Sequence, residues 1–62
     1  MTRRIEIQRA PRGARIETYV NGRCMAVGAT MTTDAARLCA EEMAHTLVAA
    51  VIDHTASDEV TA

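Results

Sequence analysis

From Thr2 to Arg9 polar and apolar residues alternate, with Ile5 and Ile7 on one side and Arg4, Glu6 and Gln8 on the other, the period of a half-buried strand. Ala10-Pro11-Arg12-Gly13 interrupts it, because proline offers no backbone donor and Gly13 can take the positive φ of a tight reversal. Alternation resumes from Ala14 to Val20, with Ala14, Ile16, Thr18 and Val20 on one face and Arg15, Glu17 and Tyr19 on the other. Asn21-Gly22 then predicts a type I′ hairpin turn that pairs Val20 with Arg23, Thr18 with Met25 and Ile16 with Val27. The core face would gather Ile16, Thr18, Val20, Met25 and Val27, leaving Tyr19, Cys24, Ala26 and Gly28 outside. Charge selects the register of the first hairpin. Arg4 opposite Glu17 and Glu6 opposite Arg15, with Ile5 meeting Ile16, avoids facing Glu6 with Glu17.

The period then changes. Thr32 or Thr33 is the expected N-cap of a helix, with Asp34 in the first turn, where a carboxylate complements the helix dipole. The helix is predicted over about residues 33–53. Ala36, Ala40, Met43, Leu47, Ala50 and Val51 form its sheet-facing stripe, and Arg37, Glu41, Glu42 and His45 its wet side. Small residues at 36, 40 and 44 allow close approach. The run from Leu47 to Ile52 is apolar all round, and a helix of that kind is buried all round, so Leu38, Val48 and Ile52 are expected to meet a second protomer. Residues 1–54 read as one domain and residues 55–62, with Asp58 and Glu59, as a polar tail. The expected fold class is α+β: a three-stranded antiparallel β-meander with one long C-terminal helix on one face, βββα.

Size sharpens the dimer expectation. A 62-residue chain buries only about 60% of the surface its unfolded form exposes, and small folds usually add disulfides, a metal or oligomerisation. Here there are two cysteines, no Trp, no Phe and one aromatic, Tyr19. The opening Met-Thr-Arg-Arg carries no apolar signal region, so Cys24 and Cys39 read as reduced thiols, and the expected location is the cytoplasm of a bacterial host cell.

Charge is uneven. Residues 1–30 hold six Arg against Glu6 and Glu17, net +4, while residues 31–62 hold Arg37 against six acids, net −5. A basic sheet side and an acidic helix side follow. Every basic residue is Arg, whose fork suits carboxylate or phosphate.

Candidate chemistry is sparse. His45 and His54, nine residues apart, would point to opposite faces of a helix, and no four-ligand metal set is spelled out. Ser57 has no positioned base, and Glu41 and Glu42 diverge by about 100° on a helix. Gly13, Gly22 and Gly28 are isolated, so no phosphate loop is present. No enzyme, metal or cofactor is expected.

The segment Ala14-Arg-Ile-Glu-Thr-Tyr-Val-Asn-Gly-Arg, followed by Gly28 and Thr32-Thr-Asp-Ala-Ala-Arg-Leu-Cys-Ala, resembles the C-terminal half of a double-stranded RNA-binding domain. That resemblance implies phosphate contacts at the helix start, where the family has consecutive lysines. This chain has Thr33 and Asp34 there, with Arg37 the remaining cation. The order strand, Pro11-Arg12 turn, strand, Asn21-Gly22 turn, strand and Ala-rich helix also resembles small phage-borne anti-CRISPR proteins that inhibit type I surveillance complexes. This second likeness implies stoichiometric binding to a Cas protein without chemistry.

The expected function is a non-catalytic protein-binding module, a phage or mobile-element inhibitor of a bacterial CRISPR-Cas complex, contacting its partner through Arg9, Arg12, Asp34, Glu41 and Glu42. The alternative is a nucleic-acid-binding module using Arg9, Arg12, Arg15, Arg23 and Arg37. No membrane span is expected, since no apolar run nears the roughly 20 residues required.

Overall fold

In a computed structural model, residues 2–56 are described, and they form an α+β fold of four strands and one helix. Strands β1 (Arg3–Ala10), β2 (Gly13–Val20) and β3 (Arg23–Val27) make the antiparallel meander, helix α1 spans Thr33–Leu47, and β4 (Ala50–Asp53) follows it. The sheet order is β3-β2-β1-β4, with β4 parallel to β1. The layout is therefore βββαβ, and the expected βββα is corrected by its last element.

The β1–β2 register also differs from the charge-based expectation. Glu6 pairs with Glu17 and Ile7 with Ile16, and the hairpin closes on Ala10 and Gly13. The turn decides this. A two-residue loop of Pro11-Arg12 puts proline at the first central position, which its fixed φ suits, whereas the slipped register would centre the turn on Ala10-Pro11 and put proline where it is disfavoured. Arg12, not Gly13, takes the positive φ, at 67°. Gly13 has another role: a Cβ there would lie 2.0 Å from the Met31 carbonyl oxygen, so only glycine lets the segment before the helix cross this strand. Ala14 and Met31 exchange backbone hydrogen bonds of 2.8 Å just beyond.

Asn21 and Gly22 take φ of 51° and 81°, and Val20 pairs with Arg23 as the turn predicts. A bulge then shifts the pairing: Tyr19 faces Cys24 but Thr18 faces Ala26, with Met25 the extra residue. Met25 and Val27, expected in the core, are 61% and 59% exposed.

Thr32 caps α1, its hydroxyl accepting from Ala35 N at 3.2 Å. Ala36 and Ala40 are fully buried against Ile5, Ile7, Ala14 and Ile16, with Met31, Met43, Ala44, Leu47 and Ala49 packed around them. The helix stops at Leu47, well short of residue 53. Val48 turns left-handed at φ 54°, and both its N–H and that of Ala49 bond back to the Ala44 carbonyl, the arrangement usually reserved for a terminal glycine. Arg3 Nη1 donates to the Leu47 carbonyl at 2.8 Å, satisfying another helix end group. From Ala50 to Ile52 the apolar run thus forms a strand that covers the edge of β1 rather than continuing as a helix apolar all round. β-Branched side chains favour this outcome, and parallel strands commonly read as continuous apolar runs. Thr55 is buried, and its N–H donates to Asp53 Oδ1 at 2.9 Å. Ser57, Asp58 and Glu59 lie outside the described residues.

Candidate functional site

One helix about 10 Å across covers roughly two strands spaced about 4.8 Å apart, and its alanine stripe seats α1 over β1 and β2. β3 is consequently left open. All five of its residues are exposed, and its outer edge carries backbone groups with no neighbouring strand. Beside it, Ile16, Thr18, Ala26, Val27, Gly28, Met31, Cys39 and Met43 line an apolar groove of about 250 Å³ between the sheet and α1. Met25, the middle residue of β3, shares a shallow hollow with Val20, Asn21 and Arg23. Leu38, on the exposed helix face next to Cys39, is 66% exposed. The open edge thus lies beside an apolar groove, and Met25, Val27 and Leu38 are 61%, 59% and 66% exposed.

The opposite face of the sheet is polar and internally satisfied. Arg4 Nε sits 2.6 Å from Glu6 Oε2, and Gln8 Nε2 and His54 Nε2 lie 3.1 and 2.6 Å from Glu6 Oε1. Hydrogen bonds from Arg4 and then His54 hold the Glu6 carboxyl below its ordinary value despite burial. On β2, Arg15 pairs with Glu17 at 3.3 Å and the Tyr19 hydroxyl donates to Glu17 at 3.0 Å. The Glu17 carboxylate, followed by burial, pushes the Tyr19 phenol up. The Arg4 guanidinium stacks 4.1 Å over the Tyr19 ring. A third group ties helix to β4: Arg37 Nε donates to Asp53 Oδ2 at 2.9 Å and Arg37 Nη2 to Thr55 Oγ1 at 3.2 Å. Arg37, expected on the wet side, is instead half-buried in this contact.

The residues singled out from sequence are scattered accordingly. Arg9 and Arg12 flank the β1–β2 turn, and Gly13 brings that end of the sheet against the start of α1, so Asp34 lies at the same end. Glu41 and Glu42 are exposed farther along the helix. Arg23 lies at the opposite end of the sheet, an eight-residue strand or about 26 Å from Arg12. Arg15 and Arg37 are engaged with Glu17 and Asp53. The five arginines therefore form no single patch. Leu38, Val48 and Ile52, expected to meet a second protomer from one helix, fall on α1, its C-cap and β4, at 66%, 85% and 42% exposure. Cys24 and Cys39 are both exposed and unbridged.

The exposure of Met25 and Val27 departs from the unbroken ladder that the turn predicts, and nothing in their spacing marks the bulge. No family model, curated protein or solved structure matches the chain. Among the described residues no helix is long and apolar enough to cross a membrane.

Proposed function

We propose that the chain is a non-catalytic protein-binding module that docks a partner strand along β3, with partner side chains entering the groove between β3 and α1. The observation that carries this reading is the open five-residue edge beside an apolar groove of about 250 Å³. Addition of a strand to such an edge gives affinity through backbone hydrogen bonds and specificity through a neighbouring pocket. The polar groups support the same reading. Glu6, Glu17 and Asp53 are bound to the chain's own Arg4, Arg15, Arg37, His54, Tyr19 and Thr55 rather than arranged around a cavity.

The sequence resemblance to phage-borne anti-CRISPR proteins makes a Cas subunit of a type I complex the foreign partner to test. The wild-type chain should co-elute with a purified surveillance complex, and Met25→Lys, which charges the edge, should not. Absence of co-elution removes the Cas assignment, and equal co-elution of both proteins removes β3 as the docking edge. Binding of duplex RNA or DNA in a gel shift at low salt would favour the alternative instead, which the dispersal of Arg9, Arg12 and Arg23 supports less well.

A further inference from the structure

Two consecutive side chains, Asp53 and His54, fasten the end of β4 from opposite faces of the sheet. In the parallel ladder Asp53 stands beside Ile7, on the face that α1 covers, and Arg37 of α1 donates to its Oδ2 at 2.9 Å. His54 points the other way, its Nε2 2.6 Å from Glu6 Oε1 on the polar face. Thr55 completes the clasp: its N–H donates to Asp53 Oδ1 at 2.9 Å, and its hydroxyl donates to the same oxygen while accepting from Arg37 Nη2 at 3.2 Å. We propose that β4 is a strap held to β1 by this clasp, and that acid, by discharging Glu6 and Asp53, releases it while the meander and the helix stay folded.

Little else holds the strap. The buried core is drawn from β1, β2 and α1: Ile5, Ile7, Ala14, Ile16, Ala36 and Ala40. β4 has four residues, of which Ala50 is exposed and Val51 and Ile52 are 40% and 42% exposed. Few buried apolar contacts and solvent-facing backbone bonds mark the segments that open locally. Val48, which leads into the strap, holds a left-handed φ of 54° that a released chain is free to relax.

The charges around the two carboxylates set the direction of the response. Glu6 is faced by Arg4 and Gln8 on its own strand, by His54 beyond β4, and by Glu17 across the ladder on β2, where Arg15 and Tyr19 hold Glu17. Asp53 is faced by Arg37 from α1 and by Thr55. Protonation takes away the negative charge that His54 meets at Glu6 and that Arg37 meets at Asp53. It also ends the repulsion between Glu6 and Glu17 within the meander, so acid costs the strap more than it costs the β1–β2 ladder.

Hydrogen bonds from Arg4 and His54 hold Glu6 below its ordinary 4.5, and at Asp53 burial opposes ionisation but the bonds from Thr55 and Arg37 outweigh it, leaving the carboxyl below 3.8. Carboxyls lowered on folding stabilise above their ordinary values and lose that effect as pH falls through the folded ones. The clasp is therefore closed at neutral pH and opens below the mid-fours.

Backbone chemical shifts of the full chain, followed by NMR from roughly pH 7 to roughly pH 3 across the carboxylate range, test this. Residues 50–54 should move to unfolded values while Ile16 and Ala40 keep native ones. At neutral pH, Asp53→Asn removes the charge and keeps the shape. Loss of a charged hydrogen-bond partner should speed exchange of the His54 amide, which donates to the Ile7 carbonyl at 3.0 Å, about tenfold. The Met31 amide, which donates to the Ala14 carbonyl at 2.8 Å, should exchange as in the wild type. Simultaneous loss of native shifts at residues 50–54, Ile16 and Ala40 overturns the proposal, as does a strap that stays native throughout the titration. Equal acceleration of both amides in Asp53→Asn, or of neither, overturns it as well.

Discussion

Glu6 and Glu17 stand directly opposite one another on β1 and β2, two carboxylates in a position where like charges ordinarily repel. Each is compensated along its own strand by the Arg two residues earlier on the same face, Arg4 for Glu6 and Arg15 for Glu17. Tyr19 and His54 add a hydrogen bond to each, Tyr19 to Glu17 and His54 to Glu6. The turn sets the register and same-strand pairs make it tolerable.

Acid should therefore weaken the fold through Glu6 and Asp53. Hydrogen bonds from Arg4 and His54 hold Glu6 low, while at Asp53 burial opposes ionisation but hydrogen bonds from Thr55 and Arg37 outweigh it. A carboxyl lowered on folding adds stability above its unfolded value and loses it as pH falls through its folded value. With ordinary values of 4.5 and 3.8, that loss belongs below the mid-fours. Urea unfolding of Glu6→Gln should give a lower midpoint than wild type at roughly pH 7 and a smaller difference at roughly pH 3, either side of the carboxylate range. An equal deficit at both would refute the assignment.

Tyr19 is the sole aromatic residue, so its phenolate absorbance reports one site. Its titration midpoint should lie above 10.0 and move back toward that value in Glu17→Gln, because Glu17 accepts the phenol proton's hydrogen bond. An unchanged midpoint in the variant would show that Glu17 is not the cause.

Two glycines should differ sharply. Gly22→Ala meets open space but keeps a left-handed φ of 81°, a cost of about 1 kcal/mol. Gly13→Ala drives a Cβ into the Met31 backbone, which has no flexible end to yield, and overpacking of this kind costs about 2–3 kcal/mol. A fold of this size has roughly 3–9 kcal/mol in total at about 0.05–0.15 kcal/mol per residue. Denaturant midpoints should rank Gly13→Ala as the more damaging; the reverse order would contradict the packing.

Val48→Gly should stabilise the chain by about 0.5–1 kcal/mol. The β-branched side chain is 85% exposed, so its removal loses little burial, while glycine relieves a left-handed cap that costs about 1–2 kcal/mol for an L-residue. Val48→Ala keeps the Cβ and should give no comparable gain. A thermal midpoint that rises with alanine as much as with glycine would count against cap strain.

What could be read from the sequence was local. Alternation placed Ile5 and Ile7 inward, Asn21-Gly22 fixed its own turn, and Thr32 and the alanine stripe located the start and buried face of α1. The failures were long-range. Helix periodicity carries no stop signal at Val48, where the usual glycine is missing, and the strand beyond it exists because β1, 46 residues earlier at Arg4 and Ala50, offers an edge. The apolar excess after Leu47 was visible, but its partner lay within the chain. The groove beside β3 was not legible either, because it depends on a bulge that sets Ala26 rather than Met25 opposite Thr18.

The parallel pairing of β1 with β4 also dictates the order of assembly. The two hairpins can form from neighbouring residues within microseconds, but β1 remains an edge until the last described strand arrives, after the whole helix has been laid across the sheet. During synthesis the chain must wait for residue 53 before its central strand is closed, so a nascent chain halted within α1 would expose two unpaired edges, β1 as well as β3.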